Sequence, residues 1–179
     1  MTSVTLELDD IYKLANDVML ANGCDVDNAA ALADIICRAE RDGSHSHGLF
    51  RVPGYVKALR SGKVNGKAKP TVKHLTPAVI QVDGNGCFAP LAQAVGLPLL
   101  ADATGKIGIA SLSLVGIHHF AALWPETEYM ADRGFVGLAC TAYMPMVAPA
   151  GSKEALFGTN PISFAVSYTH LRAHETTVY

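Results

Sequence analysis

The sequence predicts a mixed α/β chain: a helical segment over residues 1–65, then an α/β lobe over residues 66–165. Three observations carry that prediction. Apolar residues recur at three- and four-residue spacing near the N-terminus, as on one face of a helix. β-branched runs bounded by Gly, Pro and Asp begin only after Pro70. From there such runs alternate with alanine- and leucine-rich stretches, the order that lays helices against a sheet.

Leu6 to Asn22 reads as an amphipathic helix with Leu8, Ile11, Leu14, Val18 and Met19 on its apolar face and Gly23 as its stop. A second helix, capped by Asp25 or Asp27, runs through Ala29, Leu32, Ala33, Ile36 and Cys37 to about Arg41, with Gly43 ending it. A third ends at Gly62. Pro53 cannot occupy an unbroken helix interior, so this helix either starts near Pro53 or is kinked and starts near Ser46. A basic, glycine-punctuated linker leads to strands over 70–75 and 78–83, turned at Thr76-Pro77. Asp83-Gly84-Asn85-Gly86 is a turn, and it lacks the GxGxxG pattern of a dinucleotide-binding fingerprint. Residues 89–104 read as a helix kinked near Leu97, since Gly96 and Pro98 oppose helix propensity. Ile107 to Leu114 reads as a buried strand, Glu126 to Arg133 as a helix closed by Gly134, and Phe135 to Ala142 as another strand. Leu156-Phe157-Gly158-Thr159-Asn160-Pro161 turns into a last apolar run, Ile162 to Ala165. After Ala165 the composition changes abruptly, and residues 166–179, with His170 and His174, are expected to be a non-native tail.

The 179 residues carry a formal charge of −2, so no basic field invites nucleic acid, and no apolar run is long enough to span a bilayer. Cysteines at 24, 37, 87 and 140 form no CxxC pair and read as buried, reduced thiols of a cytoplasmic protein.

Chemistry concentrates in two places. Arg41 to Arg51 packs two serines, two histidines, two arginines and an aspartate into eleven residues of a lightly charged chain. Imidazole exchanges protons near neutrality, and hydroxyl and guanidinium groups are its usual helpers. His47 is the candidate acid/base, Ser46 its hydrogen-bonding partner, and Arg51 a two-pronged holder for a substrate carboxylate. The bland alternative is a polar interhelical loop with a capping serine. A helical turn over residues 47–51 would put His47 and Arg51 on one face, where the helix N-terminus disfavours imidazolium. The second knot is Gly116 to Pro125, containing His118 and His119; one imidazole is expected in a site and the other packed against Trp124 or Phe120. Four histidines (45, 47, 118 and 119) invite a metal reading, yet no acid or cysteine stands at ligand spacing, so no metal ligand is assigned.

Arg-Asp-Gly-x-x-Ser-His-Gly-x-x-Arg-x-Pro-x-Tyr, from Arg41 to Tyr55, together with Leu-Phe-Gly-Thr-Asn-Pro, resembles the malate/L-lactate dehydrogenase family of nicotinamide-dependent reductases, which do not use a Rossmann fold. His118-His119-Phe120-Ala121-Ala122-Leu123-Trp124-Pro125 looks most like the Δ1-piperideine-2-carboxylate/Δ1-pyrroline-2-carboxylate reductases within it. The resemblance implies a mixed-sheet lobe and NADPH, or else NADH, as cofactor. It implies reduction of a cyclic imino acid to L-pipecolate or L-proline, and a cytoplasmic homodimer for the full-length protein. By the same resemblance His47 donates the proton with Ser46 in its relay, Arg51 and Thr159 meet substrate, and His119, Phe120, Ala121, Ala122 and Leu123 line the cofactor. The resemblance covers the N-terminal half of a typical member, so the chain is expected to be a truncated, weakly active or inactive fragment. Two other readings stand beside this one: a reductase of open-chain 2-oxo acids such as malate or lactate on the same scaffold, and a non-catalytic histidine-rich metal- or ligand-binding module.

Overall fold

The computed structural model describes residues 4–119 and 121–167. The chain is mixed α/β and divides into two compact units, one reaching Ala122 and one beginning at Leu123. The non-native tail expected over residues 166–179 lies outside the described residues except for Val166 and Ser167.

In the first unit α1 (Leu8–Ala21) and α2 (Val26–Arg41) pair. The buried side of α1 is Ile11, Ala15 and Met19, a strict four-residue stripe, while Leu8 and Leu14 of the expected face are exposed. Alanines explain the difference: Ala29, Ala33 and Ala15, all fully buried, let the helices approach closely along a narrow seam that larger residues flank. Asp25 rather than Asp27 caps α2, its Oδ1 accepting the Asn28 N–H at 3.0 Å. Beyond α2 the chain makes two single 3₁₀ turns, His45–His47 and Leu49–Arg51, before α3 (Val52–Arg60). Of the two starts considered, the one at Pro53 holds: Pro53 lies in the first turn of α3, where its missing N–H breaks no bond. Tyr55 and Ala58 of α3 join the α1–α2 core, and Phe88 completes it.

The sheet of this unit has the order β1-β2-β3. Here β1 (Thr71–Thr76) is antiparallel to β2 (Val79–Asp83), and β3 (Ser111–Val115) is parallel to β2, with α4 (Ala89–Ile107) as the crossover. Central β2 buries Ile80 and Val82 completely, and edge β1 is exposed along its whole length. The strand expected from Ile107 starts instead at Ser111 and is half-exposed, because Ile107 ends α4 and Gly108 caps it; Leu112 and Leu114 turn inward, Ser111 and Ser113 outward. Helix α4 runs through Pro98. Gly96 is there for contact rather than for a break: a Cβ would meet Leu112 Cδ2 at 2.8 Å and Val82 Cγ2 at 3.2 Å, so glycine lets the helix lie directly on the sheet.

In the second unit α5 (Trp124–Ala131) packs on an antiparallel pair, β4 (Val136–Cys140) and β5 (Ile162–Val166). Thr127 is buried and its hydroxyl bonds Ser163 Oγ at 2.8 Å, pinning α5 to β5. Of the cysteines, Cys24 and Cys87 are buried, Cys37 is half-buried, and Cys140, expected inside, is exposed at the end of β4. Burial pushes the Cys24 thiol up to about 11, with Asp25 adding to the effect. No helix among the described residues is long and apolar enough to cross a membrane.

Candidate active site

The Arg41 to Arg51 stretch leaves α2 at Gly43 and is folded around one carboxylate. Glu40, in the last turn of α2 with its side chain only 14% exposed, holds His45 Nδ1 at 2.6 Å and accepts the Leu49 N–H at 2.7 Å. Those two contacts bracket His47. Between them Gly48 lies against the same carboxylate, so closely that a Cβ would collide with Glu40 Oε1. A carboxylate near a helix C-terminus works against the helix dipole, and here the two contacts to the loop offset that cost.

His47 is half-buried, and its Nδ1 meets two hydroxyls, Ser46 Oγ at 3.0 Å and Ser44 Oγ at 3.2 Å. Ser44 was not singled out from the sequence, where only its neighbour Ser46 looked like a partner. The break at Gly48 means that residues 47–51 do not form the single helical turn considered above. Arg51 is nonetheless near enough to lower the basicity of His47, and the main cause of that lowering is burial, with the guanidinium second. Arg51 donates from Nε to the Ser46 carbonyl at 2.6 Å, which fixes the guanidinium and leaves its terminal NH2 groups for a planar acceptor.

The second knot is stitched to the same unit by backbone bonds. Gly84 N–H donates to Val115 O at 2.9 Å and Gly86 N–H to Gly116 O at 2.7 Å, while the His118 N–H donates to Cys87 O at 2.9 Å and the Ala89 N–H to His118 O at 3.1 Å. The Asp-Gly-Asn-Gly turn thus carries the loop after β3 to the start of α4. His118 comes to lie edge-on to Phe88, ring centroids 6.0 Å apart. His119 lies edge-on to Tyr55 at 5.5 Å, and its Nδ1 takes the Ala121 N–H at 3.1 Å and meets the Tyr55 hydroxyl at 3.3 Å. Both His119 and Ala121 have left-handed backbones, φ 48° and 64°. Burial, then Arg51, His118 and His47 in that order, lower the His119 pKa to about 4. Tyr55 was visible in the sequence only as the last letter of a pattern. Its spacing of four from Arg51 at a helix start is the signal that places both on one side.

The first unit therefore brings Ser44, Ser46, His47, Arg51, Tyr55 and His119 into one electrostatically coupled neighbourhood. Ala121 and Ala122 are buried beside it in sequence. Phe120 lies outside the described residues. Leu123 and Thr159 belong to the second unit. There Thr159 is exposed on a turn shaped by Asn160, whose φ is 39° and whose Oδ1 accepts the Tyr143 N–H at 3.0 Å. Among the described residues no group of three or more His, Cys, Asp or Glu is arranged to hold a metal ion.

A helical segment feeding a mixed sheet, with its polar cluster at a helix-to-helix loop and no glycine fingerprint, defines a class of α/β protein outside the Rossmann type. The chain belongs to the malate/L-lactate dehydrogenase family, whose model matches residues 6–175. It is 40% identical to a Δ1-pyrroline-2-carboxylate reductase of Pseudomonas fluorescens over 90% of this chain and 48% of the relative. It is 42% identical to a Δ1-pyrroline-2-carboxylate/Δ1-piperideine-2-carboxylate reductase of Pseudomonas syringae pv. tomato over 89% of this chain and 47% of that one. Among solved structures, Δ1-piperideine-2-carboxylate reductase from Pseudomonas syringae superposes with a TM-score of 0.87 at 40% identity, covering 94% of this chain and 51% of the other. Malate dehydrogenase from Pyrococcus horikoshii gives 0.85 at 26% identity, covering 92% and 47%. The chain thus spans about half the length of the curated relatives it matches.

Proposed function

We propose that this chain carries the proton-donor and carboxylate-holding part of an NAD(P)H-dependent reductase of cyclic imino acids, acting on Δ1-piperideine-2-carboxylate and Δ1-pyrroline-2-carboxylate. The observation that carries this reading is the His47 loop, an imidazole held at Nδ1 by hydroxyls and followed four residues on by an anchored arginine. The names of the relatives at about 40% identity support the substrate class.

Arg51 grips the substrate carboxylate with its terminal NH2 groups and orients the ring so that its imine nitrogen faces His47. Imidazolium at His47 gives its proton to that nitrogen as the adjacent carbon becomes tetrahedral. Burial and Arg51 both weaken the hold of His47 on its proton, which favours delivery. Ser46 and Ser44 keep the ring oriented through either protonation state, since a hydroxyl both donates and accepts. Thr159 is assigned to substrate.

For the cofactor, His119, Ala121 and Ala122 are the assigned residues: Ala121 and Ala122 are small and buried, and His119 and Ala121 hold left-handed backbones. Phe120 and Leu123 are assigned to the cofactor as well. When bound, reduced nicotinamide, NADPH in preference to NADH, supplies the hydride that the imine carbon accepts. The working form we assign is a homodimer in the cytoplasm.

The test is an assay of NADPH oxidation by the 179-residue chain, and by a chimaera continuing it with the second half of the Pseudomonas fluorescens relative. Turnover of cyclic imines by the chimaera, abolished by His47→Ala, is expected. A clear preference for pyruvate or oxaloacetate transfers the assignment to open-chain 2-oxo acids.

A further inference from the structure

We infer that Tyr55 is a positioning residue: with the Ala121 backbone it locks His119 as the neutral tautomer protonated on Nε2, which keeps His119 out of proton transfer. The inference deepens the proposed function and rests on it for the division of labour that leaves proton donation to His47, but the tautomer itself follows from the geometry.

The chemistry is one of elimination. A backbone N–H can only donate, so the 3.1 Å contact from Ala121 N requires a lone pair on His119 Nδ1. A neutral imidazole with a bare Nδ1 carries its proton on Nε2. The Tyr55 hydroxyl, 3.3 Å from the same Nδ1, must then donate as well. Tyr55 is itself buried, packed edge-on against Phe88 at 5.3 Å, so the hydroxyl is held in place by the core and not by solvent. The charged and titratable groups acting on His119 agree with a neutral ring. Arg51 precedes α3, His47 lies on the turn before it, and His118 is adjacent in sequence; each opposes a second positive charge. Tyr55 itself resists ionisation, since burial raises its pKa. The left-handed backbone of His119 is a further sign of constraint, since a non-glycine residue is kept there only when its surroundings require it.

Histidine-selective ¹⁵N labelling of the 179-residue chain, and of the chimaera with the same labels, gives the test. Long-range ¹H–¹⁵N spectra between pH 4 and 8 read both ring nitrogens, with His119 assigned by loss of its signals in His119→Gln. The expected spectrum has Nδ1 bare and Nε2 protonated throughout the neutral range. In Tyr55→Phe, which keeps the ring and its packing, the tautomer persists because Ala121 remains. Its midpoint rises by about half to one pH unit, because one donor to the lone pair is gone. A proton on Nδ1, a mixture of tautomers, titration near the ordinary value of about 6.5, or a Tyr55→Phe midpoint that does not move overturns the inference. None of these readouts needs turnover, so failure of the reductase assay leaves this result readable, and the reverse.

Discussion

His47 and His119 are the same side chain in two environments, and the contrast separates their work. His47 lies half-buried on a 3₁₀ turn, and its Nδ1 faces hydroxyls that can turn to suit either protonation state. His119 is more deeply buried, and its Nδ1 faces a backbone N–H that has only one hand to offer. Burial and then Arg51 lower the basicity of both rings, and at His119 the neighbouring His118 and His47 add to the effect. A histidine's role is thus set less by the histidine than by whether its partners can reverse direction. Rotatable hydroxyls permit proton traffic; a fixed amide forbids it.

The largest effect expected is on the proton-donating side. In the chimaera, His47→Ala lowers kcat for cyclic imine reduction by about 10²–10⁴, the usual worth of a general acid. A loss of less than about tenfold would move the proton donor elsewhere. Next comes the clamp. Gly48→Ala drives a methyl into the Glu40 carboxylate and displaces the loop on which His47 rides, so kcat falls by about 10–100-fold while the far-ultraviolet circular dichroism is retained. An unchanged kcat would show that the loop position does not matter.

On the His119 side the expected effect is on stability. Its folded pKa of about 4 lies below the ordinary imidazole value of 6.5, so the unfolded chain takes up the extra proton first as pH falls. The contribution is therefore complete above about pH 6.5 and lost progressively down to about pH 4, and after discounting for the solvent that reaches the ring it amounts to about 2 kcal/mol. Urea unfolding at pH 7 and at pH 4.5 should show this extra loss in the wild type and not in His119→Gln. Smallest is Ser46→Ala, about threefold in kcat, because Ser44 remains on the same nitrogen; the double variant with Ser44→Ala should exceed the product of the singles.

Much of this was legible beforehand. The spacing of Ile11 and Met19, the alanines of α2 and the Thr76-Pro77 reversal are local signals, and local physics decided them; at Pro53 the sequence left two helix starts open and the fold selected one. Leu8 and Leu14 misled, because periodicity identifies a face but not how wide a neighbour's small residues let the seam be. Gly96 adds a second limit: propensity marks it as a weak point in a helix, and only contact reveals that it seats the helix on the sheet. In the candidate site, Ser46, His47 and Arg51 could be singled out because their residue types and proximity in the chain already suggest chemistry.

By itself the sequence determined the element order, the polar loop after α2, the second histidine knot and the kinship that their motifs express, since each depends on residues near one another in the chain. Tertiary structure alone decided that Glu40 clamps the loop from behind and that a tyrosine 64 residues away meets His119. It alone set two imidazoles of one type at different depths. Such facts depend on contacts between distant segments, on burial and on the direction in which a hydrogen bond is forced to run, and no local pattern of residues encodes those.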